Sequence, residues 1–255
     1  MPDCGALPAL ALSYDGILST LYFIRHGQAG PRNSYDALSE IGREQGRLLG
    51  RYLASQDLLF SSAVCGGLVR QRDTAALVSE AYAGAGIPFP PVVEDVRWNE
   101  FDLDAVYREI APQIALEDAE FRREYEAIVL ASSDPSNSVH RTWNRCDIAV
   151  VRAWIEGRFA SVSESWEEFQ VRVRSPLPEL CAAGPGEALA IFTSATPIAI
   201  WAALALELGP RAIMRLAGVS YNTCLTTLRL NHGELSLFTF NGTPHLTERS
   251  QRTFR

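Results

Sequence analysis

Lysine is absent from the 255 residues: all 23 basic side chains are arginines. This excludes a Schiff-base lysine and the lysine of a phosphate-binding G-x-x-x-x-G-K-[ST] loop. Histidine is scarce, with four copies, and neither these nor the acidic residues show metal-ligand spacing, so no metal and no cofactor are expected. No C-x-x-C pair occurs; Cys4, Cys65, Cys146, Cys181 and Cys224 are scattered and read as reduced residues of a cytosolic chain. The first 24 residues contain no basic residue, so the n-region of a signal peptide is missing. The most apolar region, 188–208, is interrupted by Thr193-Ser194-Ala195-Thr196-Pro197 and reads as a strand followed by a helix, not a membrane span. A cytoplasmic protein with no membrane partner is expected. The net charge of −7 opposes nucleic acid as a partner. A local arginine cluster can still hold a small anion.

With 47% hydrophobic residues the chain has enough apolar material for one core and a small cap. Ile17–Ile24, rich in β-branched and aromatic residues, predicts a buried strand. Residues 39–55 follow a helical period behind the N-cap candidate Ser39. A short strand around Leu58–Val64 leads through Gly66-Gly67 into a helix over 68–82, and an extended piece follows at Val92–Val96. The segment 104–160 is helical and charged, interrupted by a loop at Ser132–Ser138. Another helix is expected over 164–181, then a strand at Ala188–Thr193 and a helix over Pro197–Leu208 capped by Thr196. Thr223–Leu230 and Leu235–Phe240 read as a β-hairpin. Strands alternating with helices predict a three-layer α/β/α fold. It has a mostly parallel sheet in a single domain, 1–255, with 104–160 as a helical cap insertion.

The chemistry is expected where strands end, because ligands of open α/β sheets bind beyond their carboxyl edge. The first strand runs into Arg25-His26-Gly27-Gln28. A neutral imidazole attacks phosphorus to form a phosphohistidine, a guanidinium offers paired donors to phosphate oxygens, and Gly27 allows close backbone approach. An Arg-His pair by itself is better explained as a satisfied histidine at a strand terminus.

The surrounding segments resemble the histidine phosphatase superfamily, the phosphoglycerate mutase-like family, whose mark is an apolar strand ending in R-H-G-[EQ]. The likeness continues through Leu38-Ser39-Glu40-Ile41-Gly42-Arg43-Glu44-Gln45, through Ser61-Ser62, and through Arg70-Gln71-Arg72-Asp73-Thr74-Ala75. It implies His26 as nucleophile, Arg25 and Arg70 as phosphate ligands, and Glu100 in Trp98-Asn99-Glu100-Phe101-Asp102 as general acid. Arg72 competes with Arg70 for its role. The ending Phe240-Asn241-Gly242-Thr243-Pro244-His245-Leu246 is also similar to some members, with His245 expected to be structural. Gln28 replaces the glutamate frequent among mutases, which tilts the implied activity from mutase toward phosphatase; Asn33 is a further candidate for substrate contact.

The likeness breaks at Ile191-Phe192-Thr193-Ser194-Ala195-Thr196-Pro197-Ile198. Ser194 stands where the family carries its second histidine, and Ala195 and Thr196 replace two glycines. Losing a charge-assisted donor at a transition state costs roughly 10²–10³ in rate. Ser194, however, has a hydroxyl donor and precedes a helix N-terminus. The implied function is phosphomonoester hydrolysis of a small phosphorylated substrate through His26, without metal. The alternative is a catalytically silent relative that binds a phosphorylated ligand or a protein. Two other phosphatase patterns fit poorly. Cys65 to Arg70 has one residue too few for C-x-x-x-x-x-R, and Asp102-Leu103-Asp104 follows a half-polar stretch instead of a buried strand.

Overall fold

Side chains alternating across two neighbouring strands divide the interior into two cores. On β1 (Ser19–Arg25) Leu21 and Phe23 enter one core while Ile24 enters the other. On β4 (Ala188–Thr193) Leu189 and Ile191 join the first, and Ala190 and Phe192 the second. Both strands are buried on both faces, as expected of a parallel centre covered by helices. The computed structural model describes residues 18–30, 36–132, 145–160, 163–182, 184, 186–231 and 233–254.

The sheet adds β2 (Ser62–Cys65), β3 (Val92–Glu94), β5 (Leu225–Asn231) and β6 (Glu234–Gly242), in the order β3-β2-β4-β1-β5-β6. The strands from β3 to β1 are parallel; β5 runs antiparallel to β1, and β6 antiparallel to β5. Helices α1 (Glu40–Ser55) and α2 (Val69–Gly84) cover the smaller core with Leu49, Leu53, Val78 and Tyr82. Ser39 caps α1 as its sequence predicts, its hydroxyl accepting from Gly42 N–H.

The larger core takes side chains from α3 (Leu103–Glu117), α5 (Arg145–Ile155), α6 (Trp166–Arg174), α8 (Ala195–Ala205) and α9 (Pro210–Val219). At its centre the rings of Phe23, Trp98 and Trp201 lie with centroids 5.5–5.8 Å apart, so the sheet, the Glu100 loop and α8 share one packed contact. Truncating Phe23 to Ala there costs about 3–5 kcal/mol. Helices α3 and α5 contribute Val106, Ile110, Val150 and Trp154 to this same cluster, and α4 (Ala119–Ser132) adds Phe121.

Three local expectations need correction. The helix expected over 164–181 is two helices, α6 and α7 (Leu177–Cys181), because Pro176 has no N–H with which to continue the first. The helix after β4 begins at Ala195, with Ser194 and not Thr196 at the N-cap, and ends at Ala205. Pro197 then falls in the first turn, where its missing N–H leaves no bond unmade. Helix α9 was not expected; it starts at Pro210 behind Gly209 and buries only Ile213 and Ala217. Most of the expected 132–138 loop lies outside the described residues.

Candidate active site

The parallel register pairs Arg25 with Thr193, so His26 and Ser194 are the next residues beyond adjacent strand ends, and His26 N–H donates to Thr193 O at 2.9 Å. The imidazole is held in one tautomer. Its Nδ1 is 2.7 Å from Gly27 O, a carbonyl that only accepts, so Nδ1 carries the proton and Nε2 a lone pair. Arg70 Nε donates to that Nε2 at 3.2 Å. Burial, and then the charges of Arg70 and Arg25, hold His26 well below the usual histidine range against the opposing Gly27 bond. The ring is therefore neutral at pH 7, the form a nucleophile requires.

Arg70 lies in the first turn of α2 and is buried, with its Nη1 2.9 Å from Asp36 Oδ1. Asp36 also accepts from Val69 N–H at 3.1 Å, so its carboxylate sits on the N-terminus of α2, where a negative charge is favoured. Arg72 is excluded from the site; it is half-exposed and pairs with Glu94. Arg25 is buried and donates to Ser220 O.

Glu100 follows a 3₁₀ turn, Val96–Trp98, and its carboxylate accepts from Thr196 N–H at 3.1 Å and Phe101 N–H at 3.3 Å. The residue is partly exposed, yet its carboxyl group lies deep in the protein. Burial raises its pKa, opposed by the Thr196 bonds and the Arg70 charge. No arginine among the described residues forms a salt bridge with it. Arg172 secures the loop from below, donating to the carbonyls of Val96, Arg97 and Asn99 while Glu164 holds it with two bonds.

Gln28 Oε1 accepts from Ser39 Oγ at 2.8 Å, tying the loop to the start of α1. Gly27 serves a different close approach from the one expected. A Cβ there would meet Gly42 O at 2.4 Å, and one on Gly42 would meet Gln28 O at 2.1 Å, so backbone packs on backbone. Asn33, His140 and His232 lie outside the described residues. Ser194 is buried, and Gln71 Nε2 donates to its hydroxyl at 2.9 Å.

The site's supports carried little sequence signal. Thr74 Oγ1 accepts from Gly27 N–H, and Gln45 Oε1 from Gln28 N–H. Asn222 donates to His26 O, and residues 251–253 close the arrangement, with Thr253 O accepting from Asn222 N–H and Gln251 O from Gln45. Thr223 has φ +54°, a costly conformation for a β-branched residue, of order 1–3 kcal/mol. Its hydroxyl donates to Asn222 O and therefore accepts from His245 Nε2 at 2.9 Å. His245 is thus a structural prop, with its pKa pushed down to about 4 by burial.

The two poorly fitting phosphatase patterns fail on geometry as well. Cys65 is buried on β2 with its thiol pushed up to about 11, far from a thiolate nucleophile. Asp102 is spent capping α3, where it accepts from Ala105 N–H.

A model of the histidine phosphatase superfamily (branch 1) matches residues 21–243. The chain belongs to the histidine phosphatase superfamily. Among curated proteins it is 29% identical over 110 residues to the mitochondrial serine/threonine-protein phosphatase Pgam5 of Caenorhabditis elegans, a match covering 35% of this chain and 39% of that one. It thus spans well under half of the curated relative's length. The superfamily fold recurs in the phosphoglycerate mutase of Bacillus anthracis (TM-score 0.57, 17% identity, 91% of this chain and 96% of that one). It recurs again in a mycobacterial glucosyl-3-phosphoglycerate phosphatase solved with inorganic phosphate (TM-score 0.56, 20% identity, 89% and 99%). No helix among the described residues is long and apolar enough to cross a membrane.

Proposed function

We propose that this superfamily member hydrolyses phosphomonoesters through a phosphohistidine on His26, in a single domain whose 104–160 insertion serves as the cap. The observation that carries this reading is the His26 tautomer: Nδ1–H is committed to Gly27 O, and the Nε2 lone pair accepts from the buried Arg70 guanidinium, with the charge of buried Arg25 also acting on the ring.

In the first step Nε2 attacks phosphorus, the bond from phosphorus to the ester oxygen breaks, and the Glu100 carboxyl gives its proton to the departing alcohol. The raised pKa of Glu100 suits that donation. In the second, a water attacks the phosphorus of the phosphohistidine while Glu100 takes the water's proton, and the P–N bond breaks to return His26 and release phosphate. Arg25 and Arg70 neutralise the phosphoryl oxygens throughout. Substrate approach draws Arg70 Nε from the imidazole to the phosphate. Ser194 supplies the donor that the second histidine supplies in the family pattern. The scheme has no metal in it.

The test is hydrolysis of a panel of phosphomonoesters in EDTA, with the enzyme denatured in alkali to preserve labelled phosphohistidine. Turnover and alkali-stable, acid-labile label are expected in the wild type, and neither in His26→Ala. A second reading, a non-catalytic phosphate binder, is favoured by Ser194 alone. It would be established by phosphate binding with neither turnover nor label.

A further inference from the structure

The Ser194 hydroxyl is not a free rotor, and the residue that fixes it is Gln71. Gln71 is fully buried in the first turn of α2, next to Arg70. Its amide touches two backbone groups whose roles are obligatory. Leu68 N–H donates to Oε1 at 3.3 Å, and Trp98 O accepts from Nε2 at 3.3 Å. Turning the amide over would set N–H against N–H and oxygen against oxygen, so its orientation is settled by chemistry. The remaining Nε2 hydrogen points at Ser194 Oγ, 2.9 Å away. Ser194 must accept there, and its single hydrogen must point elsewhere.

The fold reserves room for this amide. A Cβ on Gly66 would meet Gln71 Oε1 at 2.0 Å, so only glycine at that strand end admits the side chain. The same Trp98 carbonyl also accepts from Thr193 Oγ1 at 2.5 Å, which anchors the residue before Ser194 to the Glu100 loop. Ser194 therefore sits in a rigid, water-poor setting, in register with His26 and two residues before the Thr196 N–H that holds Glu100.

We infer that Gln71 is a positioning residue that turns Ser194 into a one-directional donor aimed at the phosphoryl group in flight. The inference rests on the reading that the phosphoryl group lies between His26 and Ser194. A neutral amide-hydroxyl relay then stands where a single imidazole would otherwise serve. Unlike an imidazole, the relay has no proton to lose or gain between pH 5 and 9, so it adds no ionisation of its own to the pH–rate profile. The cation beside the phosphoryl group is left to the two arginines.

The experiment measures the affinity of the intact protein for orthovanadate, which adopts the five-coordinate geometry of the transferring phosphoryl, and for inorganic phosphate. The variants are Ser194→Ala, Gln71→Leu, their double combination, Ser194→Thr and Gln71→Glu. Ser194→Ala is expected to weaken vanadate by roughly 10²-fold and phosphate several-fold less. Gln71→Leu should produce much of the same vanadate loss, and the double variant should be no weaker than Ser194→Ala. Ser194→Thr, which keeps the hydroxyl, should bind vanadate within about threefold of wild type. If Gln71→Leu does not fold, Gln71→Glu decides: at unchanged volume its carboxylate accepts the Ser194 hydrogen and should reproduce the Ser194→Ala loss. Wild-type vanadate affinity in the Gln71 variants, multiplying losses in the double variant, or equal weakening of both ligands would overturn the inference. The binding cycle does not need turnover. Coupled vanadate losses without wild-type hydrolysis would remove the hydrolytic reading alone, whereas trapped phosphohistidine with uncoupled losses would remove the relay alone.

Discussion

Arg70 Nε lies 3.2 Å from His26 Nε2, so a buried cation holds the lone pair that the proposed reaction uses. The contact keeps the imidazole aligned and unprotonated. In the proposed reaction the same guanidinium turns to the phosphoryl oxygens, which makes Arg70 a reporter of occupancy. Replacing Arg70 by Lys keeps the charge but loses the planar fork. A fall of roughly 10²-fold in kcat/KM is expected for Arg70→Lys, with a smaller effect for Arg72→Lys, because Arg72 pairs with Glu94 away from the site. Equal losses in steady-state kinetics would contradict the assignment.

In the proposed reaction Glu100 delivers a proton to the leaving oxygen, so its value depends on how badly that oxygen needs one. Glu100→Gln is expected to slow alkyl phosphates by roughly 10²–10⁴-fold. Nitrophenyl phosphate, whose leaving group departs without help, should slow much less. Rates on the two substrate types decide the matter; a uniform loss would make Glu100 a structural carboxylate.

Asp36 occupies the N-terminus of α2 and pairs with Arg70, both of which favour an anion. Its side chain is 48% exposed, so the pair contributes little to stability and much to local charge. Asp36→Asn is expected to raise phosphate affinity roughly fivefold at low salt, an advantage that shrinks as salt is added. Unchanged or weaker binding by calorimetry would show that Asp36 positions Arg70 instead of competing for it.

His245 is buried and neutral, with a pKa of about 4 against 6.5 for the free side chain. The unfolded chain therefore takes up a proton first as pH falls, and native stability declines between about pH 6.5 and pH 4, with no contribution above that window. The loss attributable to this residue is at most about 3 kcal/mol. His26, also shifted down, adds to the same decline. Urea melts from pH 7.5 to 4.5 should show a shallower fall in His245→Asn than in the wild type; parallel curves would remove His245 from the account.

Residues 251–254 are expected to matter for the site although they supply none of its proposed chemistry. Thr253 and Gln251 bond to Asn222 and Gln45, which in turn hold His26 O and Gln28 N–H. Phe254 stacks on Tyr221 at 4.2 Å. Removing residues 251–255 should lower kcat about tenfold or more and cost stability of about 1–3 kcal/mol per buried loop donor left without its partner. Wild-type kcat in the truncated protein would show that the loop holds its shape unaided.

The sequence by itself determined the strands and the helices that follow them. β-Branched and apolar runs with period two, the Ser39 cap and the hairpin at 223–240 are local signals, read over a few neighbouring residues. It also determined the family, since Arg25-His26-Gly27-Gln28 and Arg70–Ala75 are contiguous. What only the tertiary structure decided is non-local. The departure of Arg72 and the arrival of Asp36 at Arg70 depend on how α2 is rotated. The hold of Thr196 N–H on Glu100 depends on α8 starting at Ala195. The direction of the Ser194 hydroxyl depends on Leu68 and Trp98, backbone groups whose identity leaves no mark in their side-chain letters. Hydrogen-bond direction is set by which group meets which in space, and partners such as Glu100 and Thr196, 96 residues apart, meet only once the chain has folded.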